Sequence, residues 1–245
     1  MRILQIIPTL NTGGAEKLCV ELCSGLAKNN KVTICVIGAI DKRSHIYKML
    51  CNKVNLICLE KGLGFKFIIL ITILNLILKI KPNVVHFHGR SLFYSSLAIF
   101  FYQANYFYTV HNTAVGDEPN KLVRKWYKTL FRFFKVHPIS ISSKIAKTVQ
   151  VEYQTKFNTI IHNGINKMTR TNRFGKVKKE IDQIKNDKET IIFLNLARIF
   201  PQKNQLMLVR VFNRLIDDGL NIKISPDPEL SDASLNPPLF ILKTV

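Results

Sequence analysis

The sequence predicts an α/β fold in which the first part of the chain forms a doubly wound parallel sheet. Short apolar runs alternate with longer amphipathic segments over residues 1–165, as in successive β–α units. Several runs, such as Arg2–Ile7 and Val84–His88, are almost continuously apolar, which is typical of strands covered on both faces. Two runs, one before Gly13 and one before Arg198, lead through a turn into a helix, which predicts two such domains.

Seven strands and six helices are predicted in residues 1–165, from β-branched or aromatic runs and from helical spacing of apolar residues. The predicted strands are Arg2–Ile7, Lys31–Ile37, Val54–Leu59, Val84–His88, Tyr106–His111, Pro138–Ser142 and Thr159–His162. The predicted helices are Glu16–Lys28, Ser44–Cys51, Phe65–Ile80, Ser91–Phe101, Asn120–Phe134 and Ser143–Tyr153. We expect Ser142 to cap the last helix rather than to do chemistry. Residues 1–165 are therefore expected to form one complete Rossmann-like domain.

The composition of the remaining chain changes twice. Residues 166–188 are basic and poor in large apolar residues, which predicts an exposed interdomain crossing with a polar helix. Residues 189–224 hold one strand, Ile191–Leu196, and a helix starting near Asn204, and are expected to begin a second domain. Residues 225–245 contain four of the nine prolines, so we expect an irregular, disordered tail.

The formal net charge of the chain is +20, which predicts an anionic partner. Lipid head groups, nucleic acid and a phosphorylated substrate all fit, and so does a merely solvated basic surface. No zinc-finger, helix-turn-helix or RNA-binding signature is present, so nucleic acid is not expected as a partner. The 47% apolar content excludes global disorder.

The five cysteines all lie in the first quarter of the chain and include no Cys-x-x-Cys pair. We expect reduced, mostly buried thiols, which fits a cytoplasmic location. The sequence begins with a strand-like run, so we expect no signal peptide. Its longest apolar stretch is Phe67–Leu78. A membrane span needs about 20 residues, so this stretch predicts a buried helix, with contact at a membrane interface as the alternative.

Gly13 and Gly14 lie between the first strand and the first helix. Glycines there let a ligand approach the backbone, and a helix N-terminus attracts anions. The pattern falls short of the full dinucleotide fingerprint, and Glu16 is an unusual neighbour for a phosphate. A simple tight turn is the alternative interpretation.

Three histidines lie at the ends of two neighbouring strands. His86 and His88 end the fourth strand and His111 ends the fifth, where open α/β sheets bind ligands. We expect His86 to be a core histidine and His111 to contact a ligand. No carboxylate is close to them in sequence, so no metal site is predicted.

Arg198 and Lys203 flank the turn that follows the strand of the second domain. Two cations beside a helix N-terminus suit a diphosphate, whose charge grows when it leaves. Solvated loop cations are the alternative.

The segment Asn120–Lys135 is both basic and aromatic. An apolar stripe that includes Trp126 is flanked by basic residues. Six residues of the segment are candidates for contact with an anionic membrane: Lys121, Arg124, Lys125, Trp126, Lys128 and Arg132. A core helix with a basic outer face fits the same pattern.

Six motifs in order give the chain a family resemblance. They are Gly13-Gly14-Ala15-Glu16, Val84–His88, Thr109–Asn112, Ile141–Ser143, Ile161–Ile165, and Arg198 with Pro201–Asn204. The chain resembles the retaining nucleotide-sugar glycosyltransferases of GT-B fold, specifically family 4, from its start to about Ile224. The resemblance implies two facing Rossmann-like domains, with the acceptor mainly on the first. It also implies a nucleotide-sugar donor and a lipid-linked or polysaccharide acceptor of bacterial-type surface glycans such as lipopolysaccharide.

The resemblance also assigns roles to residues. Arg198 and Lys203 would hold the donor diphosphate, His111 would contact the transferred sugar, and Gly13 and Gly14 would shape the opposite side of the cleft. No metal or other cofactor is implied, and the basic helix would place the protein on the inner face of the plasma membrane.

The second domain departs from the family pattern after Ile224. The glycine-rich turn expected there is replaced by Ser225-Pro226-Asp227-Pro228, and no two glutamates have the family's spacing. We therefore expect a truncated donor-binding domain. A second hypothesis is a non-catalytic remnant that folds its first domain and binds acceptor or anionic membrane.

Overall fold

A computed structural model describes residues 1–11, 13–155, 158–164, 170, 172–184, 192–195, 203–219, 222–226 and 240–244. The chain divides into two compact units, Met1–Ile165 and Asn166–Val245.

The first unit is built on a seven-stranded sheet in the order β3-β2-β1-β4-β5-β6-β7. Every neighbouring pair of strands is parallel. The strands are β1 (Arg2–Ile7), β2 (Lys31–Val36), β3 (Asn55–Cys58), β4 (Val84–His88), β5 (Asn105–Val110), β6 (Val136–Ser140) and β7 (Thr159–Ile160). The strand order reverses beside β1, so β1 and β4 flank the position where α/β sheets bind ligands.

Eight helices connect these strands within the described residues of the first unit. They are α1 (Gly14–Leu26), α2 (His45–Lys48), α3 (Ile68–Ile80), α4 (Ser91–Tyr94), α5 (Ser96–Phe101), α6 (Ala114–Asp117), α7 (Lys121–Phe133) and α8 (Ser143–Tyr153). The predicted helix Ser91–Phe101 is divided at Ser95. Its seryl hydroxyls explain the division, because Ser95 and Ser96 both bond to carbonyl groups of the preceding turn and compete with the regular ladder.

The core lies on both faces of the sheet, as the apolar strands predicted. One cluster packs α3, α4, α5, α7 and α8 against one face, and a second packs α1 and α2 against β1 and β2 on the other. Helix α3 buries Ile69, Ile73 and Ile77, while Ile68 and Ile71 stay exposed. All five cysteines are free, and three of them are buried.

The second unit contains a three-stranded sheet and two helices among its described residues. They are α9 (Phe174–Ile184), β8 (Ile192–Asn195), α10 (Gln205–Asp217), β9 (Ile222–Pro226) and β10 (Phe240–Thr244). Strand β10 lies between β8 and β9 and is antiparallel to both.

The end of the chain is more ordered in places than the prolines predicted. Residues Ser225 and Pro226 end β9, and Phe240–Thr244 form β10, within the segment 225–245 that we expected to be irregular. The apolar run at Phe240 suits a strand, and a proline is tolerated at a strand end. Residues 227–239 lie outside the described residues.

Candidate functional site

The polar residues of the first unit gather where β1, β4 and β5 lie side by side. Gln5 of β1 pairs in register with His86 of β4, and His88 pairs with Thr109 of β5. Side chains alternate across a strand, so Val85 and Phe87 enter the core while the two histidines project from the opposite face. His111 follows β5 directly, which brings three imidazole rings together.

Gln5, His88 and His111 form a hydrogen-bonded row, and the ring of His86 packs beside it. His88 Nε2 lies 2.8 Å from Gln5 Oε1, and His88 Nδ1 lies 3.0 Å from His111 Nε2. His86 Nε2 lies 2.7 Å from Thr109 Oγ1, and its ring centroid is 4.3 Å from that of His88. Both ring nitrogens of His88 are therefore used within the protein, while Nδ1 of His111 has no hydrogen bond to any described residue.

Burial keeps these histidines neutral. It lowers the pKa of His86 to about 3 and that of His111 to about 4, and it holds the pKa of His88 well below its usual value. The neighbouring rings lower the pKa of His86 and His88 further, because each would repel a second positive charge. At neutral pH the row offers hydrogen bonds rather than positive charge.

A buried carboxylate fixes the backbone of His111. Asp117 Oδ1 accepts from the backbone N–H of His111 at 3.2 Å, and its Oδ2 accepts from the Tyr108 hydroxyl. Burial raises the pKa of Asp117 to about 6, although these two bonds act in the opposite direction. Asp117 lies at the end of α6, whose first turn is capped by Thr113.

A carboxylate already occupies the turn at Gly13 and Gly14. Glu16 accepts a hydrogen bond from Thr9 Oγ1 at 3.1 Å, and a Cβ placed on Gly13 would come within 2.2 Å of Glu16 Oε2. Gly13 is extended, so the glycine leaves space for this carboxylate rather than supplying an unusual backbone angle. A role for Gly13 and Gly14 in donor binding stays a prediction, and it requires an anion to displace Glu16.

A cavity of about 540 Å³ opens beside the ends of β1 and β2. One wall is aromatic, with Phe65, Phe93 and Tyr94 packed as three ring pairs at centroid distances of 5.6 to 6.0 Å. Two cations, Lys61 and Arg90, also line it. The cavity thus combines an apolar ring surface with positive charge.

Arg90 is held in this cavity by a buried partner. Its Nε and one terminal nitrogen donate to both oxygens of Glu118 at 2.9 and 3.1 Å. The Glu118 side chain is only 1% exposed, whereas that of Arg90 is 54% exposed. Bidentate pairing orients the guanidinium while leaving part of it open to a ligand.

Four residues of the site were not predicted from the sequence: Gln5, Arg90, Glu118 and Lys61. Gln5 carried a usable signal, because it is the one polar residue among the buried positions of β1. Arg90 follows the glycine that ends β4, which is a position where ligand contacts are common. Glu118 carried no signal, since its importance comes from a partner 28 residues away.

The two candidate diphosphate ligands belong to the second unit. Arg198 lies outside the described residues, and Lys203 is exposed directly before Asn204, which precedes α10. Their role in binding a diphosphate stays a prediction.

The candidate membrane residues lie on α7, but three of them have partners inside the protein. Trp126 donates to Ser96 Oγ at 2.8 Å and stacks on Phe100. Arg124 pairs with Glu152 at 2.6 Å, and Lys128 donates to Gln154. The other three, Lys121, Lys125 and Arg132, are exposed. The inner stripe of α7 packs in the core, as the alternative interpretation predicted.

The part of the chain that the structure describes contains neither a metal-binding cluster nor a membrane-spanning helix. No group of three or more His, Cys, Asp or Glu side chains is arranged to hold a metal ion. No helix there is both long enough and apolar enough to cross a bilayer.

Solved structures that are similar to this chain include two of one protein, HepE of Anabaena. The complex with UDP and glucose matches with a TM-score of 0.65 and the complex with UDP with 0.63, both at 14% sequence identity. Each match covers 87% of this chain and 58% of HepE, so the chain spans under two thirds of that protein. The likeness shows the fold, which is α/β, Rossmann-like and of the GT-B type that the sequence predicted. Comparison with curated proteins finds no significant match.

The family itself is shown by a sequence model. The model described as Glycosyltransferase Family 4 matches residues 12–167, which is more than half of the chain and includes every histidine of the row. The resemblance inferred from the six motifs is therefore confirmed, and the chain belongs to glycosyltransferase family 4.

Proposed function

We propose that the chain takes part in transferring a sugar, with retention of configuration, from a nucleotide-sugar donor to a lipid-linked or polysaccharide acceptor. The observation that carries the proposal is the row at the ends of β1, β4 and β5. It presents the uncharged ring of His111 at the edge of the sheet where ligands bind. A neutral imidazole suits contact with the hydroxyl groups of a sugar.

The donor in this proposal is a UDP-sugar. Support comes from the structure of HepE, which was solved with UDP and glucose. Lys203, together with Arg198, would hold the diphosphate and stabilise the charge that develops on the departing nucleotide. His111 would contact the transferred sugar from the first unit.

The acceptor in this proposal binds in the cavity beside β1 and β2. The aromatic wall of Phe65, Phe93 and Tyr94 suits the face of a sugar ring or an apolar chain. Arg90 and Lys61 suit a phosphate, which is the group that joins a glycan to a lipid carrier. An acceptor that carries a phosphate would contact both the aromatic wall and the two cations of the cavity.

Location at the inner face of the plasma membrane is part of the proposal. The chain between the cavity and α3 exposes Leu63, Phe65, Phe67 and Ile68, each by more than half. Lys61 precedes these side chains and Lys66 lies among them, a combination that suits an anionic membrane surface. A lipid-linked acceptor would then reach the cavity from the bilayer.

The proposal is tested by isothermal titration of the whole chain with UDP and with UDP-glucose. We expect saturable binding that is weakened by His111→Ala for UDP-glucose and by Lys203→Ala for both ligands. Matched controls are His45→Ala and Lys53→Ala, which alter exposed residues of the first unit. A wild-type chain that binds no nucleotide sugar across a panel of donors would reject the donor half of the proposal.

A second assay separates acceptor binding from donor binding. Vesicles carrying a polyprenyl phosphate should retain the protein more strongly than vesicles of equal charge without it, and Arg90→Ala should abolish the difference. Equal retention by both vesicles would reject the cavity as the acceptor site.

A further inference from the structure

The hydrogen bonds of the row run in one donor-to-acceptor direction, which is determined by Gln5. A glutamine side chain has one end that accepts and one end that donates. The structure turns the accepting oxygen, Oε1, toward His88 at 2.8 Å. His88 must therefore carry its proton on Nε2, because only a protonated nitrogen can donate to that oxygen.

The donor and acceptor nitrogens of His88 determine those of His111. A neutral imidazole has one protonated nitrogen, so the Nδ1 of His88 is left as an acceptor. His111 Nε2, 3.0 Å away, must then be the donor in that pair. The remaining nitrogen of His111, Nδ1, consequently carries a lone pair and no proton.

From this chain of contacts we propose that Gln5 and His88 are positioning residues that hold His111 as the Nε2-protonated tautomer, so that its Nδ1 accepts a hydrogen bond from a hydroxyl group of the bound sugar. The inference rests on the proposed function for the identity of that ligand. It also gives His111 a specificity, since a neutral acceptor favours a hydroxyl and disfavours a phosphate or carboxylate oxygen.

The surroundings support a fixed rather than an exchanging tautomer. Gln5 is 1% exposed and His88 is 1% exposed, so water does not compete for their hydrogen bonds. Burial also lowers the pKa of His111 to about 4, which excludes the doubly protonated ring at neutral pH.

The tautomers can be read directly by nuclear magnetic resonance. Long-range proton–nitrogen correlation of the chain labelled with ¹⁵N-histidine distinguishes protonated from bare ring nitrogens, and His88→Gln and His111→Gln assign the signals. We expect both rings to carry the proton on Nε2 at pH 7. A proton on Nδ1 of either ring would overturn the proposal, since the row would then run in the opposite direction.

Two substitutions of Gln5 test whether it sets the direction. Gln5→Met keeps the length of the side chain but removes the acceptor, and should convert His111 to a mixture of tautomers. Gln5→Glu keeps an acceptor and should preserve Nε2 protonation. Gln150→Met, at an exposed position of α8, is the matched control. Unchanged ring signals of His111 in Gln5→Met would overturn the role of Gln5.

A binding measurement connects the tautomer to the ligand. Loss of one hydrogen bond weakens affinity by about tenfold, so Gln5→Met should bind UDP-glucose about tenfold more weakly and UDP equally well. Equal losses for both ligands would overturn the positioning role. A wild-type chain that shows the expected tautomers but binds neither ligand would count against the proposed function, while the resonance result would still establish the tautomer.

Discussion

Two buried tyrosines show that the contribution of a hydroxyl group to stability depends on its surroundings. Tyr108 and Tyr153 are both almost fully buried and both pack around Phe131. The hydroxyl of Tyr108 donates to the buried carboxylate of Asp117. The hydroxyl of Tyr153 has no hydrogen-bond partner among the described residues. The hydroxyl group should therefore stabilise the folded protein at Tyr108 and destabilise it at Tyr153.

We predict that Tyr108→Phe lowers the free energy of unfolding by about 1–3 kcal/mol, since it removes a donor from a buried carboxylate. Tyr153→Phe should leave stability unchanged or raise it by about 1 kcal/mol, because a buried unpaired hydroxyl is removed. Urea unfolding of the two variants and the wild type measures the difference. Equal destabilisation by both substitutions would contradict this account of the two hydroxyls.

The candidate site could be predicted from sequence only where the signal was local. His111 and His88 were recognisable because they end strands, and strand ends meet at one edge of a parallel sheet. Glu118 was not, because its role comes from a partner 28 residues away. Gln5 was marked as the one polar residue among the buried positions of β1, but its partner, 83 residues away, was not predictable. The arrangement was also hidden by its composition, since histidines at strand ends fit either a core or a ligand site.

At the scale of an element, single capping residues determine where two of the helices begin. Ser142 precedes α8 and accepts a hydrogen bond from the backbone N–H of Ile145 at 3.3 Å, as predicted for an N-cap. Asn120 does the same for α7, accepting from Leu122 and Val123. Both caps were readable because a cap and its helix are adjacent in sequence.

We predict that Ser142→Ala lowers the free energy of unfolding by about 1 kcal/mol, through loss of this cap. Ser143→Ala should change stability much less, because Ser143 is the exposed first residue of the helix. Chemical unfolding of both variants distinguishes the two positions. A larger effect at Ser143 would show that the cap does not limit α8.

Element boundaries were predicted better in the sheet than in the helices between the strands. The predicted strands Arg2–Ile7 and Val84–His88 agree with β1 and β4 residue by residue, because each run stops at a proline or a glycine. Helix α6 was missed, since four residues are too few to show a helical period. The reversed strand β10 was missed because its partners, β8 and β9, become visible only in three dimensions.

At the scale of the whole molecule, the two large hydrophobic clusters lie entirely within residues 1–165. A chain of this length buries roughly 70% of its surface on folding, which is enough for a stable core. We predict that residues 1–165 alone fold cooperatively, with a melting temperature close to that of the first transition of the whole chain. Differential scanning calorimetry of both proteins makes the comparison. A fragment without a cooperative transition would show that the first unit depends on the rest of the chain.

The buried histidines make the stability of the first unit depend on pH. The folded-state pKa values of His86, His88 and His111 lie below the usual value of 6.5, reaching about 3 in His86 and about 4 in His111. Above pH 6.5 these rings are neutral in both the folded and the unfolded state, so they do not lower the free energy of unfolding. As the pH falls below 6.5 the unfolded chain binds protons that the folded protein excludes, and stability decreases.

Asp117 acts in the opposite direction, because its pKa is raised from 3.8 to about 6 and the folded state therefore takes up its proton first. Three histidines outweigh one carboxyl, so we predict a net loss on the order of 2–4 kcal/mol between pH 7 and pH 5. Urea unfolding at pH 7, 6 and 5 measures it. His111→Gln should reduce the dependence and His45→Gln, at an exposed position, should not. Stability that is constant or rises toward pH 5 would mean that the row is already charged in the folded protein, and that His111 cannot act as a neutral acceptor.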